Sequence, residues 1–152
     1  MDYNEIEQYF ENNQIDELLM KYKECFDDVD YHEKLLINHV LNDINSVREA
    51  IQRLSGLYMS LRRPFAIAET AVENGKSRNY HTLKIQQETN NPEAKLVSAS
   101  LDREASLLVA PYRRARNLFE AYLASCEKAI GSCQSLLSSL KVEKGLPMGV
   151  DR

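Results

Sequence analysis

Three groups of cations carry most of the chemistry this sequence could perform: Arg62-Arg63, then Lys76, Arg78, Tyr80, His81 and Lys84, and finally Arg113, Arg114 and Arg116. Lysine and arginine displace the counterions of a phosphate backbone. An interleaved ring such as Tyr80 gives an unpaired base a surface to stack on, worth about 1 to 3 kcal/mol per base. Together they suit single-stranded nucleic acid held without sequence preference. The same Arg113, Arg114 and Arg116 would also fit the solvated side of a coiled coil, and Tyr80 could simply pin a loop.

Other chemistries find less to work with. His32 and His39 are seven residues apart, and neither His-Glu-x-x-His nor Cys-x-x-Cys occurs, so no metal site is expected. A pairing of Cys126 with a histidine is conceivable, but Cys126 and Cys133 fall in an apolar helical seam, where cysteine acts as a small hydrophobe. The sequence lacks both the G-x-x-x-x-G-K-[ST] and the G-x-G-x-x-G phosphate loops. No enzyme activity and no cofactor are expected.

The elements that must position the cations are helical. Leu, Ala, Glu, Lys, Gln and Arg dominate, with only five Gly and four Pro among 152 residues. Tyr3, Ile6 and Phe10 line one side of a first short segment, and Leu18, Leu19 and Tyr22 one side of a second. Asn12-Asn13 and Asp27-Asp28 read as turns or caps. From about Tyr31 to Leu61, Leu36, Val40, Ile44, Val47, Ile51, Leu54, Tyr58 and Leu61 step by threes and fours and predict one long helix. Pro64 should end or bend it, and Asn74-Gly75 should stop a short helix restarted there. The polar, basic stretch that follows, with Asn90-Asn91-Pro92 as a turn, reads as the tip of a hairpin.

The final segment repeats most regularly, from Leu101 through Ala105, Leu108, Tyr112, Ala115, Phe119, Tyr122, Cys126, Ala129, Cys133 and Leu136 to Leu140. A seven-residue repeat held this long asks for a left-handed partner helix, and the seam from Leu36 to Leu61 is the natural one. Pro111 should kink or break the segment near Val109 to Pro111. Leu118, Leu123, Ile130 and Leu137 widen the stripe beyond a two-helix seam, so it needs a further neighbour, either the short N-terminal helices or another copy of the chain, and self-association is the favoured expectation.

The fold expectation is therefore all-α: a long antiparallel helical hairpin, coiled-coil-like, with short N-terminal helices and a basic tip, forming a homo-oligomer. One domain spans 1–144, with acidic helices in 1–28, long helices in 31–61 and 101–141 and the tip in 62–100; a flexible tail occupies 145–152. Residues 1–47 hold twelve Asp and Glu against three Lys, a net of -9, while the rest carries +5, and the two add to -4. Such a head repels phosphate and could attract a basic partner. Three cysteines, an acidic start and no apolar run of 18 residues favour a reducing cytoplasm without a membrane partner.

The plan of this chain resembles the UvsY-type recombination mediators of tailed phages. The resemblance rests on a long helix, a basic segment of the form Lys76-Ser77-Arg78-Asn79-Tyr80-x-x-Leu83-Lys84, and Lys95-Leu96-Val97-Ser98 leading into a final helix that begins Leu101-Asp102; it covers about residues 31–141. It implies a ring-like oligomer in a phage-infected cell that binds single-stranded DNA, loosens the single-strand-binding protein and helps load a RecA-like recombinase. Lys76, Arg78, Tyr80 and Lys84 carry over from it. Arg62, Arg63, Arg113, Arg114 and Arg116 join on charge alone. Two competing expectations remain: a structural or scaffolding coiled-coil protein without nucleic-acid affinity, and an acidic inhibitor whose head occupies a DNA-binding enzyme.

Overall fold

The computed structural model describes residues 1–92 and 97–145. Among the described residues it is all-helical, with six helices: α1 (Tyr3–Glu11), α2 (Ile15–Lys21), α3 (Lys23–Ile37), α4 (Ile44–Asn90), α5 (Ser98–Leu108) and α6 (Ala110–Glu143). None of these is long and apolar enough to cross a membrane. They gather into two compact units. The first combines Met1–Leu19 with Arg63–Leu118, and the second combines Met20–Arg62 with the chain from Phe119 onward. Lys95, Leu96 and most of the expected tail lie outside the described residues.

Local chemistry explains the helix ends. At the start of α1 the Glu5 amide donates to the Asp2 carboxylate at 2.9 Å, and the Asp2 amide donates to the Glu5 carboxylate at 2.7 Å. This reciprocal cap satisfies two otherwise orphaned donors. Asn12 caps the other end, and Asn13 takes a left-handed φ of 55°, as the Asn12-Asn13 turn requires.

Three expectations about element boundaries are corrected. The segment from Tyr31 to Leu61 is not one helix. Asp27-Asp28, read as a turn, lies inside α3, which ends at Ile37. His39 then adopts φ 53°, and Asp43 restarts the chain by accepting the Asn45 and Ser46 amides at 2.9 and 3.0 Å. That capping carboxylate and the left-handed His39 outweigh the apolar spacing, which records hydrophobicity and not continuity. Val40, nominally in the seam, is consequently 54% exposed.

Pro64 and Asn74-Gly75 do not interrupt α4, which runs 47 residues to Asn90 and takes in most of the expected tip. A proline inside a helix costs about 3 kcal/mol. Here its ring is fully buried and its helix carries the buried Ile67 and Ala68, so packing prevails over the local penalty. The boundary between the two units falls at Arg62 and Arg63, beside this proline. Gly75 is a packing glycine: a Cβ there would sit 3.0 Å from the Val109 Cγ1 and 3.4 Å from the Tyr112 ring.

The last segment breaks at Val109 into two helices, as expected from Pro111, and the third correction concerns the apolar register across that break. Pro111 falls in the first turn of α6, where its missing N–H has no partner to lose. The break moves the register by one residue. Val109 is buried, and Leu108 is 55% exposed.

Each unit has its own apolar interior. In the first, Ile6, Phe10, Ile67, Leu101, Ala105, Val109 and Ala115 are buried. In the second, Phe119 meets Tyr22 edge-on at 5.2 Å and Phe26 at 5.7 Å, and Phe26 stacks on Tyr122 at 4.4 Å. Val29, Val47, Leu54, Cys126 and Cys133 complete that interior.

Candidate nucleic-acid interface

A continuous α4 rearranges the basic segment. Lys76, Tyr80, Lys84 and Gln87 step by four, four and three residues, so they share one side of the helix. Arg78 is two residues from both Lys76 and Tyr80, which turns it about 160° away, to the opposite side. Lys76 is half-buried, and its ammonium lies 2.9 Å from the Asp102 carboxylate at the start of α5. Lys84 is exposed and 4.0 Å from Glu88, too loose a pair to hold it. Tyr80 is half-buried.

Beside this row runs an open trough of about 600 Å³, lined by Leu83, Gln86, Gln87 and Asn90 of α4 and by Val97, Ser100, Leu101 and Glu104. Its amides and hydroxyl can both donate and accept hydrogen bonds, as the edges of unpaired bases do. Gln87 belongs to the trough and to the Lys76–Tyr80–Lys84 side alike.

Arg78 faces different company. It lines a hollow of about 140 Å³ with Tyr3, Glu7, Phe10 and Glu11 of α1, with Thr70 and Asn74 of α4, and with Tyr112 of α6. The Tyr112 hydroxyl donates to the Phe10 carbonyl at 2.8 Å, and the two rings meet edge-on with centroids 5.5 Å apart. Arg63 donates to the Met1 carbonyl at 3.1 Å. Arg114 forms an ion pair with Asp16 at 2.6 Å. Arg113 donates to the Ser106 hydroxyl at 2.8 Å, and Arg116 donates to the Asn117 side-chain oxygen at 2.7 Å. Arg62, in the second unit, is near Tyr58, whose hydroxyl donates to Glu127 at 2.9 Å. That bond raises the phenol above its ordinary value of 10.0, and the guanidinium works against the rise.

Within the first unit the candidate residues therefore divide. Lys76, Tyr80 and Lys84 share a side of α4, Arg63, Arg78 and Arg114 face α1 and α2, and Arg113 and Arg116 turn to neighbours on their own segment. The sequence points to neither the amides of the trough nor the nearness of Glu7 and Glu11 to Arg78. The first becomes legible only once α4 is known to be unbroken, and the second is a tertiary contact with no local signal.

The thiols are poor nucleophiles. Burial, and next the Glu33 carboxylate, push Cys126 up to about 11, and burial raises Cys133 and Cys25 from 9.0. Such groups stay protonated near neutral pH. Buried His32 places Nδ1 2.8 Å from the Asp28 carbonyl, a local bond that orients the ring. Among the described residues no group of three His, Cys, Asp or Glu is placed to hold a metal ion. No family model, curated protein or solved structure matches this chain.

Proposed function

We propose that this chain is a non-enzymatic, recombination-mediator-like protein that binds single-stranded DNA along the side of α4 bearing Lys76, Tyr80 and Lys84. The observation that carries the reading is the row of two cations around a ring next to a trough that holds three amides and a hydroxyl among aliphatic side chains and the Glu104 carboxylate. Phosphates would follow the lysines, one base would stack on Tyr80, and its neighbours would reach Gln86, Gln87 and Asn90. Loosening of a single-strand-binding protein and loading of a RecA-like recombinase rest on the sequence resemblance to UvsY-type mediators. A cytoplasmic setting belongs to the same reading.

The proposal includes an antiparallel hairpin and self-association. Supporting the hairpin, Gly75 approaches Val109 and Tyr112, Lys76 pairs with Asp102, and residues 83–90 share a trough with residues 97–104. Partner numbers thus fall as those of α4 rise. Supporting self-association, Ile37, Met59, Leu107 and Val142 are large apolar side chains left in solvent. A second reading, a scaffolding protein without nucleic-acid affinity, draws on the same exposed side chains and on the ion pairs that occupy Lys76 and Arg114.

Fluorescence anisotropy with a labelled oligothymidylate at about 50 mM salt, where phosphate contacts are strongest, separates the two. The native chain should bind, more weakly as salt rises, and Tyr80→Ala with Lys84→Ala should cost at least about tenfold in affinity. Absence of binding, or an unchanged affinity in the double variant, would favour the scaffold.

A further inference from the structure

The first nineteen residues hold six acids and no lysine or arginine, yet they pack among cations. The first unit contains six arginines, and three of them meet this head: Arg63 through the Met1 carbonyl, Arg114 through Asp16, and Arg78 in the hollow shared with Glu7 and Glu11. Glu7 and Glu11 are four apart and so lie on one side of α1. We propose that α1 and the start of α2 form an acidic cover that competes with polyanion for Arg78 and Arg114 and so limits the affinity of the intact protein. This rests on the single-stranded DNA reading above.

The cover is a fixed part of the unit. Ile6 and Phe10 are buried, and Tyr112 holds the Phe10 carbonyl, so the carboxylates are carried at set positions. A phosphate that approaches Arg78 enters a hollow that Glu7 and Glu11 also line. At Arg114 both partners of the ion pair are largely exposed, 66% and 83%, so the guanidinium can exchange a carboxylate for a phosphate at little cost. Lys76, Tyr80 and Lys84, on the other side of α4, stay outside the cover. The intact chain therefore binds through one side of α4, and loss of the head's charge opens the other.

The experiment is oligothymidylate binding by full-length Glu7→Gln/Glu11→Gln/Asp16→Asn, substitutions that keep side-chain size. Its affinity should rise about fivefold or more, and its salt dependence should steepen, because each further phosphate contact adds roughly 0.7 to the slope for single strands. Adding Arg78→Gln and Arg114→Gln should abolish the gain. Glu49→Gln/Glu120→Gln/Glu143→Gln, an equal change in net charge within the second unit, should leave affinity nearly unchanged. Asp16→Asn alone, with and without Arg114→Gln, serves if circular dichroism shows the triple variant unfolded. Equal affinity of the native chain and the triple variant overturns the cover and leaves DNA binding standing. An equal gain in the control also overturns the cover, because net charge alone then explains it. Absence of binding by every variant removes cover and DNA reading together, whereas binding by the triple variant alone supports the cover strongly.

Discussion

The two units use their aromatic residues differently. In the second, Tyr22, Phe26, Phe119 and Tyr122 pack on one another and Phe119 is fully buried. In the first, Tyr3 is 50% exposed, Tyr80 is half-buried beside two lysines, and Tyr112 shares a hollow with Arg78. Rings packed together contribute stability through buried area and edge contacts, whereas rings left half in solvent can still meet a ligand. Phe10 also packs edge-on against Tyr112 in the first unit, and Tyr31 is 55% exposed in the second, so the difference is one of cluster size: four rings packed together in the second unit against one pair in the first.

Phe119→Ala should give the largest effect. Deleting a buried ring with two ring neighbours costs about 3 to 5 kcal/mol, read as a lower urea midpoint. A loss below about 1 kcal/mol would remove the distinction between the units. Next comes Tyr112→Phe, which keeps the ring and deletes only the hydroxyl that donates to Phe10. It should cost about 1 kcal/mol in the same measurement, and a larger loss would make this corner of the first unit as structural as the second.

The smallest expected effect is at Asp43, which caps α4. Hydrogen bonds from the Ser46 hydroxyl and amide hold its carboxyl below the ordinary 3.8. A folded value below the unfolded one means that the folded state binds fewer protons. The cap's contribution is then complete above the unfolded value and is lost as pH falls from about 3.8 through the folded value. Asp43→Ala should lower the thermal midpoint near neutral pH, and the difference from the native chain should shrink as the solution is acidified through that window. A difference that is constant with pH would show that the carboxylate's charge is not what caps α4.

Helix class and much of the burial were legible because threes-and-fours spacing follows directly from helical geometry. Ala105, Ala115, Phe119, Cys126, Ala129 and Cys133 are all buried as that spacing expects. Boundaries were harder. Pro111 could be read because it falls where a helix can begin, whereas Pro64 could not, because its burial offsets a penalty that is local. The gap between Leu36 and Ile44 was hidden by apolar residues that keep the rhythm across a loop; Asp43 followed by Ser46 was the available signal. Of the candidate interface, the cations and Tyr80 were visible as residue types. Which of them share a side depended on whether α4 continues past Gly75, and Gly75 is explained by its approach to Val109 and Tyr112, a contact from the far end of the chain.

The most direct test of the central claim is photo-crosslinking of a 5-iododeoxyuridine oligonucleotide to the native chain, with the attached peptide identified by mass spectrometry. The account predicts attachment at Tyr80 within residues 76–87, reduced as salt is raised and abolished in Tyr80→Ala. Attachment confined to the second unit, or none under conditions where the oligonucleotide is bound, would contradict it.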